Sequence, residues 1–339
     1  MDLKPINQQV VAIVGASSGI GRETALKFAR GGAKVVVAAR SQSGLDSLID
    51  EIKGFGGEAV SISADVLEFD QVKAIADKAI EEYGRLDTWV HCAAIALYAP
   101  FEQVTPEEFK RVIDVDLMGQ VYGAMVALPH LRREGRGALI HISSILARRS
   151  FPLQSAYCAA KHGINGFLES LRVELMHEML PISVTEISPC SINTPFFTTA
   201  RTKLGVQPMG APPIYEPSIV ADSIVYAAQH PTRDMIVGDA AKMIWAAQRV
   251  SPALLDAVLA RTGFNSQRTA KPKTEDEVNS FYQPSSEFDH VEGDFGDQSL
   301  PVSVSDWLDT HPVAKWGVVA GTLGLVFLAG LAFKDNWIS

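Results

Sequence analysis

The sequence predicts an α/β domain with a doubly wound parallel sheet over residues 1–240. The first observation is a short, β-branched apolar run at 10–14, followed at once by a glycine-rich turn and an apolar helical stripe. The second is that similar apolar runs alternate with helical stretches as far as residue 240. The third is that these runs are continuously apolar, which is typical of strands covered by helices on both faces.

The first strand–helix–strand unit is complete by residue 39. The strand at 10–14 leads into a helix whose apolar stripe includes Ile20 and Phe28, and a second strand follows at 34–39. Such a crossover between parallel strands is almost always right-handed. Later apolar runs predict strands at 59–63, 88–91, 138–143, 182–187 and 235–237. Helices are predicted between them at 70–83, 106–133, 155–179 and 217–229.

Composition and charge limit the classes of function. The chain has 339 residues, of which 47% are hydrophobic, so it can form a real core. Its net charge of −9 disfavours a nucleic-acid partner. The three cysteines, Cys92, Cys158 and Cys190, fit neither a disulfide framework nor a paired-cysteine metal site, and they indicate a reducing compartment. No metal site is expected.

The composition changes after residue 240. Apolar helical pieces predict a helical extension at 241–263. Between residues 265 and 310 there are ten acidic and three basic side chains, with several prolines and serines. This composition predicts an acidic, flexible linker over 264–311.

An uncharged run from residue 316 to 333 lies between Lys315 and Lys334. Eighteen helical residues span about 27 Å, close to the apolar thickness of a bilayer. Gly317 and Gly321 suit close helix packing, and Trp316 stands where interfacial aromatics are common. The run predicts a single transmembrane helix over 312–333, with the folded domain in the cytoplasm; a buried core helix is the alternative.

The glycine-rich turn carries the first chemical signal. Gly15, Gly19 and Gly21 are spaced G-x-x-x-G-x-G between a strand and a helix. Glycine allows the tight turn and lets the backbone approach a pyrophosphate at the helix amino terminus. The turn therefore predicts a dinucleotide site.

Two residues after later strands bear on the choice of dinucleotide. Arg40 stands at the end of the second strand, where an acidic residue would bind the ribose 2′-hydroxyl of NAD. An arginine there suits a 2′-phosphate, so we expect NADP(H) rather than NAD(H); a solvated surface arginine is the alternative. Asp65, after the third strand, is equally suited to an adenine amino group or to a helix cap.

A second chemical signal lies on the helix predicted at 155–179. Tyr157 and Lys161 are one turn apart, and Ser144 ends the preceding strand. A phenol titrates near 10, and a neighbouring ammonium would lower its pKa and prepare it for proton transfer to an alkoxide. Ligands bind at the carboxyl ends of strands in such sheets, where Ser144 stands.

With these motifs in this order, the sequence resembles the short-chain dehydrogenase/reductase family over about residues 8–240. The resemblance implies a Rossmann fold and an NAD(P)-dependent oxidoreductase acting on CH–OH groups. It implies Ser144, Tyr157 and Lys161 as catalytic residues, with Lys161 also holding the nicotinamide ribose. The cofactor residues that it implies, together with those from the motifs above, are Gly15, Ser17, Ser18, Gly19, Ile20, Gly21, Arg40, Asp65, Val66, Cys92, Ala93, Tyr157, Lys161, Pro189, Ile192 and Thr194.

The sequence departs from the family pattern at several positions. His91-Cys92-Ala93-Ala94 replaces Asn-Asn-Ala-Gly, and Cys190 replaces a glycine of the nicotinamide loop. Asp116 takes the place of the asparagine that supports a proton-relay water beside the lysine. A carboxylate there could preserve the relay as a fourth catalytic residue, or could pair with Lys161 and weaken it.

The sequence thus predicts a membrane-tethered enzyme that transfers hydride between NADP(H) and a carbonyl or secondary alcohol. The segment 194–215, with Phe196, Phe197 and Tyr215, suggests an apolar substrate pocket, or else ordinary loop packing. The alternative function is a cofactor-binding redox sensor or scaffold with weak or no turnover. The expected partners are a small-molecule substrate, a lipid bilayer and a second copy of the chain, as a homodimer or homotetramer.

Overall fold

The computed structural model of the chain describes residues 2–317. Strands occupy, in chain order, β1 (Val10–Val14), β2 (Lys34–Ala39), β3 (Glu58–Ser63), β4 (Thr88–His91), β5 (Leu97–Tyr98), β6 (Gly137–Ile142), β7 (Ile182–Pro189), β8 (Ser191–Ile192), β9 (Arg201–Thr202), β10 (Val206–Pro208), β11 (Ile214–Tyr215), β12 (Asp234–Val237), β13 (Arg268–Pro272) and β14 (Ser299–Leu300). Seven of these strands form one sheet in the order β12-β7-β6-β4-β1-β2-β3, and every pair in it is parallel.

Helices connect the strands and cover both faces of this sheet. They are α1 (Gly19–Arg30), α2 (Gln42–Gly54), α3 (Phe69–Tyr83), α4 (Pro106–Ile113), α5 (Gly119–Glu134), α6 (Ser155–His177), α7 (Pro217–Ala227), α8 (Asp239–Val250), α9 (Pro252–Thr262) and α10 (Val304–Thr310). One apolar cluster joins α1, α2 and α7 to one face, and a second joins α3, α5 and α6 to the other. The predicted α/β fold with a parallel sheet is confirmed.

The centre of the sheet is the place where its order reverses. All five residues of β1 are buried, because apolar side chains on both of its faces meet helices. Val14, the last of them, pairs with Ala38 of β2 on one side and with His91 of β4 on the other. A crevice opens at the carboxyl ends of the strands at such a switch point, and ligands bind there.

The stretch predicted as one helix over 106–133 contains an irregular turn. α4 and α5 are joined by a π-helical turn, Asp114–Met118, which carries Asp116. Within residues 2–317, the helical stretch from Pro106 to Glu134 is alone in being long and apolar enough to cross a membrane, and half of its apolar window is buried. That burial is in the domain core beside β4 and β6, as expected of a core helix.

Residues 264–311, the C-terminal extension, are not the flexible linker that the acidic composition predicted. β13 pairs with β10, and β14 pairs with β11. Phe281 and Phe295 are only 1% and 5% exposed. The acidic side chains also find partners, since Asp306 accepts hydrogen bonds from Lys242 Nζ and from the amide of Gly238. Burial of these aromatic rings and pairing of the charges favour packing over solvation.

The chain forms a helix at residues 312–317, where Val313 and Trp316 are exposed. The remainder of the transmembrane helix predicted over 312–333 lies outside the described residues.

Candidate active site

One cavity of about 550 Å³ opens at the carboxyl edge of the sheet. The residues expected at the site that line it are Gly15, Ser17, Ser18, Gly19, Ile20, Gly21, Arg40, Asp65, Val66, Cys92, Ala93, Ser144, Tyr157, Lys161, Pro189, Ile192 and Thr194. Asp116 lies outside this lining, although its neighbour Val115 belongs to it. The fold therefore brings motifs from all along the chain to one cavity.

The glycine-rich turn lies at one end of the cavity, and its geometry requires glycine. Gly15 has φ +81°, and a Cβ atom there would lie 2.5 Å from the amide nitrogen of Ala93. A Cβ atom on Gly21 would lie 2.1 Å from the carbonyl oxygen of Gly15. The turn thus brings bare backbone to the amino terminus of α1, whose cap residue Ser18 makes no side-chain capping bond. This cradle fits a pyrophosphate.

Ser144, Tyr157 and Lys161 meet at the other end of the cavity. Ser144 follows β6, and its hydroxyl accepts a hydrogen bond from the amide of Leu146 at 3.1 Å. The Lys161 ammonium lies 5.2 Å from the centre of the Tyr157 ring and donates to the carbonyl oxygen of Ile142 at 3.0 Å. The three side chains therefore face one common cavity.

Burial has the largest effect on the pKa values of Tyr157 and Lys161. It raises the pKa of Tyr157 well above its usual value, and the Asp116 carboxylate raises it further, while the Ser144 hydroxyl opposes both. Burial also lowers the pKa of Lys161, which the Asp116 carboxylate partly restores. In the chain without cofactor, desolvation of the phenolate outweighs the hydrogen bond from Ser144, and the lowering of the Tyr157 pKa by Lys161 stays a prediction.

Asp116 is fully buried beneath the site. Its Oδ1 atom accepts a hydrogen bond from the amide of Ile95 at 2.8 Å, whereas Oδ2 has no hydrogen-bond partner among residues 2–317. Burial raises its pKa to about 7, and the charge of Lys161 opposes that rise. Of the two alternatives for Asp116, direct pairing is not seen: among the described residues, Asp116 Oδ1 bonds only the Ile95 amide, Oδ2 has no partner, and Lys161 donates to Ile142.

Arg40 and Asp65 lie at the end of the cavity that the glycine-rich turn occupies. The Arg40 guanidinium donates to the carbonyl oxygens of Ser280 and Tyr282, at 2.6 and 3.1 Å. Arg40 is therefore not the solvated arginine of the alternative interpretation. Asp65 accepts a hydrogen bond from the amide of Leu67 at 3.1 Å in the loop before α3, whose cap residue is Glu68, and it also lines the cavity.

The cysteines in the site motifs are poorly suited to redox chemistry. Burial raises the pKa of the Cys92 thiol to about 12 and also raises those of Cys158 and Cys190. A thiol reacts as its thiolate, so such groups are inert near neutral pH. Among residues 2–317, no group of three or more histidine, cysteine or acidic side chains could hold a metal ion.

Sequence reasoning missed the residues that the C-terminal extension brings to the cavity. Ser280, Pro284, Ser285, Phe288 and Asp289 all line it. Their acidic, serine-rich surroundings resemble a linker. The aromatic content of the segment could have indicated them, because solvated linkers are poor in aromatic residues such as Phe281 and Phe295.

The fold and the cavity define a class of protein, the dinucleotide-binding oxidoreductases. A family profile described as short chain dehydrogenase matches residues 9–205, which is more than half of the chain. The chain therefore belongs to the short-chain dehydrogenase family and is an oxidoreductase of that family, which uses NAD(P)(H) and a small-molecule substrate.

Three relatives illustrate this similarity. The oxidoreductase YxnA of Bacillus subtilis (strain 168) is 40% identical over 284 residues, covering 83% of this chain and 80% of the relative. The oxidoreductase Lmo0432 of Listeria monocytogenes is 32% identical over 231 residues, covering 67% and 92%. The 3-oxoacyl-(acyl-carrier-protein) reductase FabG of Thermotoga maritima is 31% identical over 225 residues, covering 65% and 90%. The match to YxnA is longer than the family match, so it continues beyond the segment that defines the family.

Proposed function

We propose that this chain is an NADP(H)-dependent oxidoreductase that interconverts a carbonyl compound and a secondary alcohol. The observation that carries the proposal is that one cavity joins the glycine-rich cradle to Ser144, Tyr157 and Lys161. The first of these features suits a dinucleotide, and the second suits proton transfer to an oxygen atom.

Each side chain of the site has a distinct role. The bound cofactor supplies or accepts the hydride. The Ser144 hydroxyl donates a hydrogen bond that orients the substrate oxygen, and Tyr157 exchanges a proton with that oxygen. Because burial raises its pKa, Tyr157 is protonated at neutral pH and is a proton donor for carbonyl reduction. Lys161, whose ammonium donates to the Ile142 carbonyl oxygen, would hold a ribose hydroxyl of the bound cofactor.

Asp116 acts as a positioning residue in this proposal. Its Oδ1 atom fixes the backbone at Ile95, while its unpartnered Oδ2 atom and its pKa of about 7 suit a group that accepts a hydrogen bond from water. A buried carboxylate near Lys161 can therefore support the proton relay that the family's asparagine supports.

The preference for NADP(H) is supported by Arg40 and by hydroxyl groups beside it. Arg40 directly follows β2, and Ser17 and Ser41 line the same end of the cavity. Guanidinium and hydroxyl donors suit a 2′-phosphate, whereas no acidic residue of the β2 turn itself faces that end.

The proposed substrate is apolar. Phe196, Phe197, Leu255, Val258 and Leu259 line the part of the cavity beyond Tyr157. The Phe196 ring lies 5.7 Å from that of Tyr157, so an apolar surface adjoins the reacting oxygen. An aldehyde or ketone with a hydrocarbon body would bury that body there.

A bilayer is the second partner in this proposal, through the transmembrane helix predicted over 312–333, with the domain in the cytoplasm. Trp316 and Val313, at its start, are 70% and 88% exposed, as they would be at the entry to a membrane. The full chain should float with lipid vesicles, and a chain ending at residue 311 should not. Flotation of both, or of neither, contradicts the anchor.

We also propose that the chain forms a homodimer or homotetramer, with α5 and α6 at the interface between copies. Met125 on α5 and Met176 on α6 are 55% and 74% exposed, which suits burial against a second copy. Light scattering of the full chain in detergent measures the mass, and a monomer at micromolar concentration contradicts this part.

Fluorescence titration of the full chain with NADPH and NADH, followed by turnover on a carbonyl panel, tests the enzymatic proposal. The panel runs from short polar ketones to long apolar aldehydes. Tighter binding of NADPH and turnover rising with apolar length are expected. Tight binding without any turnover supports instead the cofactor-binding sensor or scaffold, and turnover restricted to short polar ketones contradicts the apolar pocket.

A further inference from the structure

An irregular segment of the C-terminal extension crosses the cofactor end of the cavity. We name residues 280–293 the strap. Arg40 donates to the Ser280 carbonyl oxygen at one end of the strap. The Gly19 amide, in the glycine-rich turn, donates to the His290 carbonyl oxygen at 2.9 Å. At the other end, the Gly293 amide donates to the carbonyl oxygen of Asn193, beside the nicotinamide loop. The strap therefore follows the path that a dinucleotide would take.

Asp289 is the charged group that the strap places in this cleft. Its Oδ2 atom accepts hydrogen bonds from the Ser41 and Ser43 hydroxyls, at 2.7 and 3.4 Å. The Ser17 hydroxyl and the charge of Arg22 also favour its ionised form, against the effect of burial. Gly44 leaves the room for it, because a Cβ atom there would lie 2.3 Å from the Asp289 carboxyl group.

The position that the Asp289 carboxylate occupies is also suited to a phosphate group. Ser41 directly follows Arg40 and caps the amino terminus of α2, where its hydroxyl accepts from the Gly44 amide. In this fold the residues just after the second strand face the 2′ position of the adenosine ribose. Hydroxyl donors at a helix amino terminus bind anions well. The carboxylate of Asp289 thus occupies the donors that a 2′-phosphate needs.

The Asp289 carboxylate and a 2′-phosphate cannot both occupy this position. Two negative charges that share the same hydrogen-bond donors lie close enough to repel each other strongly. The neutral 2′-hydroxyl of NAD(H) carries no such charge and can donate a hydrogen bond to a carboxylate. The Arg40 donors are also committed to strap carbonyl oxygens while the strap is in place.

We propose that Asp289 is a specificity-determining residue that competes with the 2′-phosphate of NADP(H) for Ser41 and its neighbours. Either dinucleotide must displace the strap backbone from Gly19, but only NADP(H) must also displace the Asp289 carboxylate from Ser41. This inference rests on the proposed function, because it requires a dinucleotide in the cleft. Asp289 thereby reduces the preference for NADP(H) that Arg40 provides.

Dinucleotide binding by the full-length Asp289→Asn chain tests the competition. Removing the charge should tighten NADPH binding about tenfold and leave NADH binding within about twofold of wild type. Asp297→Asn is the matched control, since it removes an exposed charge from the same extension. An equal gain for both dinucleotides, or weaker binding of both, overturns the proposal; the second result would make the strap a lid that holds the cofactor.

The same titrations separate this inference from the proposed function. If neither wild type nor Asp289→Asn binds either dinucleotide, the proposed function fails and the inference fails with it. If both chains bind, with an unchanged ratio of NADPH to NADH affinity, only the role of Asp289 is wrong.

Hydrogen exchange of the wild-type strap gives a readout without any substitution. Saturation with adenosine 2′,5′-bisphosphate should speed amide exchange across residues 280–293, because the added phosphate displaces Asp289. Adenosine 5′-monophosphate, which lacks the 2′-phosphate, should speed exchange less, and equal acceleration by the two nucleotides overturns the proposal. Slower exchange with the bisphosphate means that the strap closes on the nucleotide, and it overturns the proposal.

Discussion

The ammonium group of Lys161 lies 5.2 Å from the centre of the Tyr157 ring, one helical turn away on α6. Its hydrogen bond is made to the Ile142 carbonyl oxygen and so draws Lys161 towards the end of β6. The helix supplies the spacing of the pair, and the strand fixes the position of the charge. Lys161 is buried and Tyr157 is half-buried, so the ammonium acts on the phenol with little screening by water.

Replacing Tyr157 with phenylalanine should remove turnover and spare cofactor binding. The phenol is the proton donor of the proposed reaction, and loss of such a group lowers rates by about 10²- to 10⁴-fold. The ring remains, so the cavity keeps its shape. Steady-state kinetics and NADPH titration measure the two effects. Retention of more than a tenth of the wild-type rate would show that Tyr157 is not the acid.

Arg40→Asp should weaken NADPH binding about 10- to 100-fold and change NADH binding much less. Hydrogen bonds from a charged donor to a phosphate are worth about 1.5–3 kcal/mol, and the new carboxylate adds repulsion. Arg30→Asp, at the far end of α1, is the control for the charge change. An unchanged ratio of the two affinities would mean that Arg40 only fastens the strap.

Asp116→Asn should make stability less dependent on pH. Burial raises the Asp116 pKa from 3.8 to about 7, so between these values the folded chain binds more protons than the unfolded chain. The stabilisation from the protonated form is complete below about pH 4 and is lost as pH rises through about 7. The difference corresponds to up to about 4 kcal/mol.

Urea unfolding at several pH values measures this effect. The free energy of unfolding of Asp116→Asn, relative to wild type, should increase from pH 5 to pH 8. Asp114→Asn, on the same π-helical turn, changes only an exposed pair with Lys110 and should shift stability by less than about 1 kcal/mol at either pH. If the stability of wild type and of Asp116→Asn changed in parallel with pH, the pKa of Asp116 would not be raised in the folded chain.

Phe281→Ala should destabilise the chain by about 3 kcal/mol or more. The ring is 1% exposed and packs in the same apolar cluster as α3, α5 and α6, so its removal leaves a cavity. Phe101, which is 72% exposed, gives the matched control Phe101→Ala, with an expected change below about 1 kcal/mol. Chemical unfolding compares the two. If both substitutions lowered the free energy of unfolding by the same small amount, the C-terminal extension would contribute little to stability.

Local sequence patterns were sufficient for the main sheet and for most of the cavity. The strand predicted at 88–91 matches β4, and the strand predicted at 182–187 falls within β7. Their continuous apolar character follows directly from burial on both faces. The π-helical turn at Asp116 was not predicted, because an extra residue in a helical turn leaves the apolar period almost unchanged.

The sequence by itself determined the α/β class, the family and the residues that meet at the carboxyl edge of the sheet. Those properties depend on short spacings, such as the glycine turn and the Tyr157–Lys161 pair, which neighbouring residues specify. Only the tertiary structure decided that Asp289 lies beside Ser41 and that the Arg40 donors meet strap carbonyl oxygens. These contacts join residues more than 200 positions apart, and they exist because Phe281 and Phe295 are buried against the domain, which no local period records.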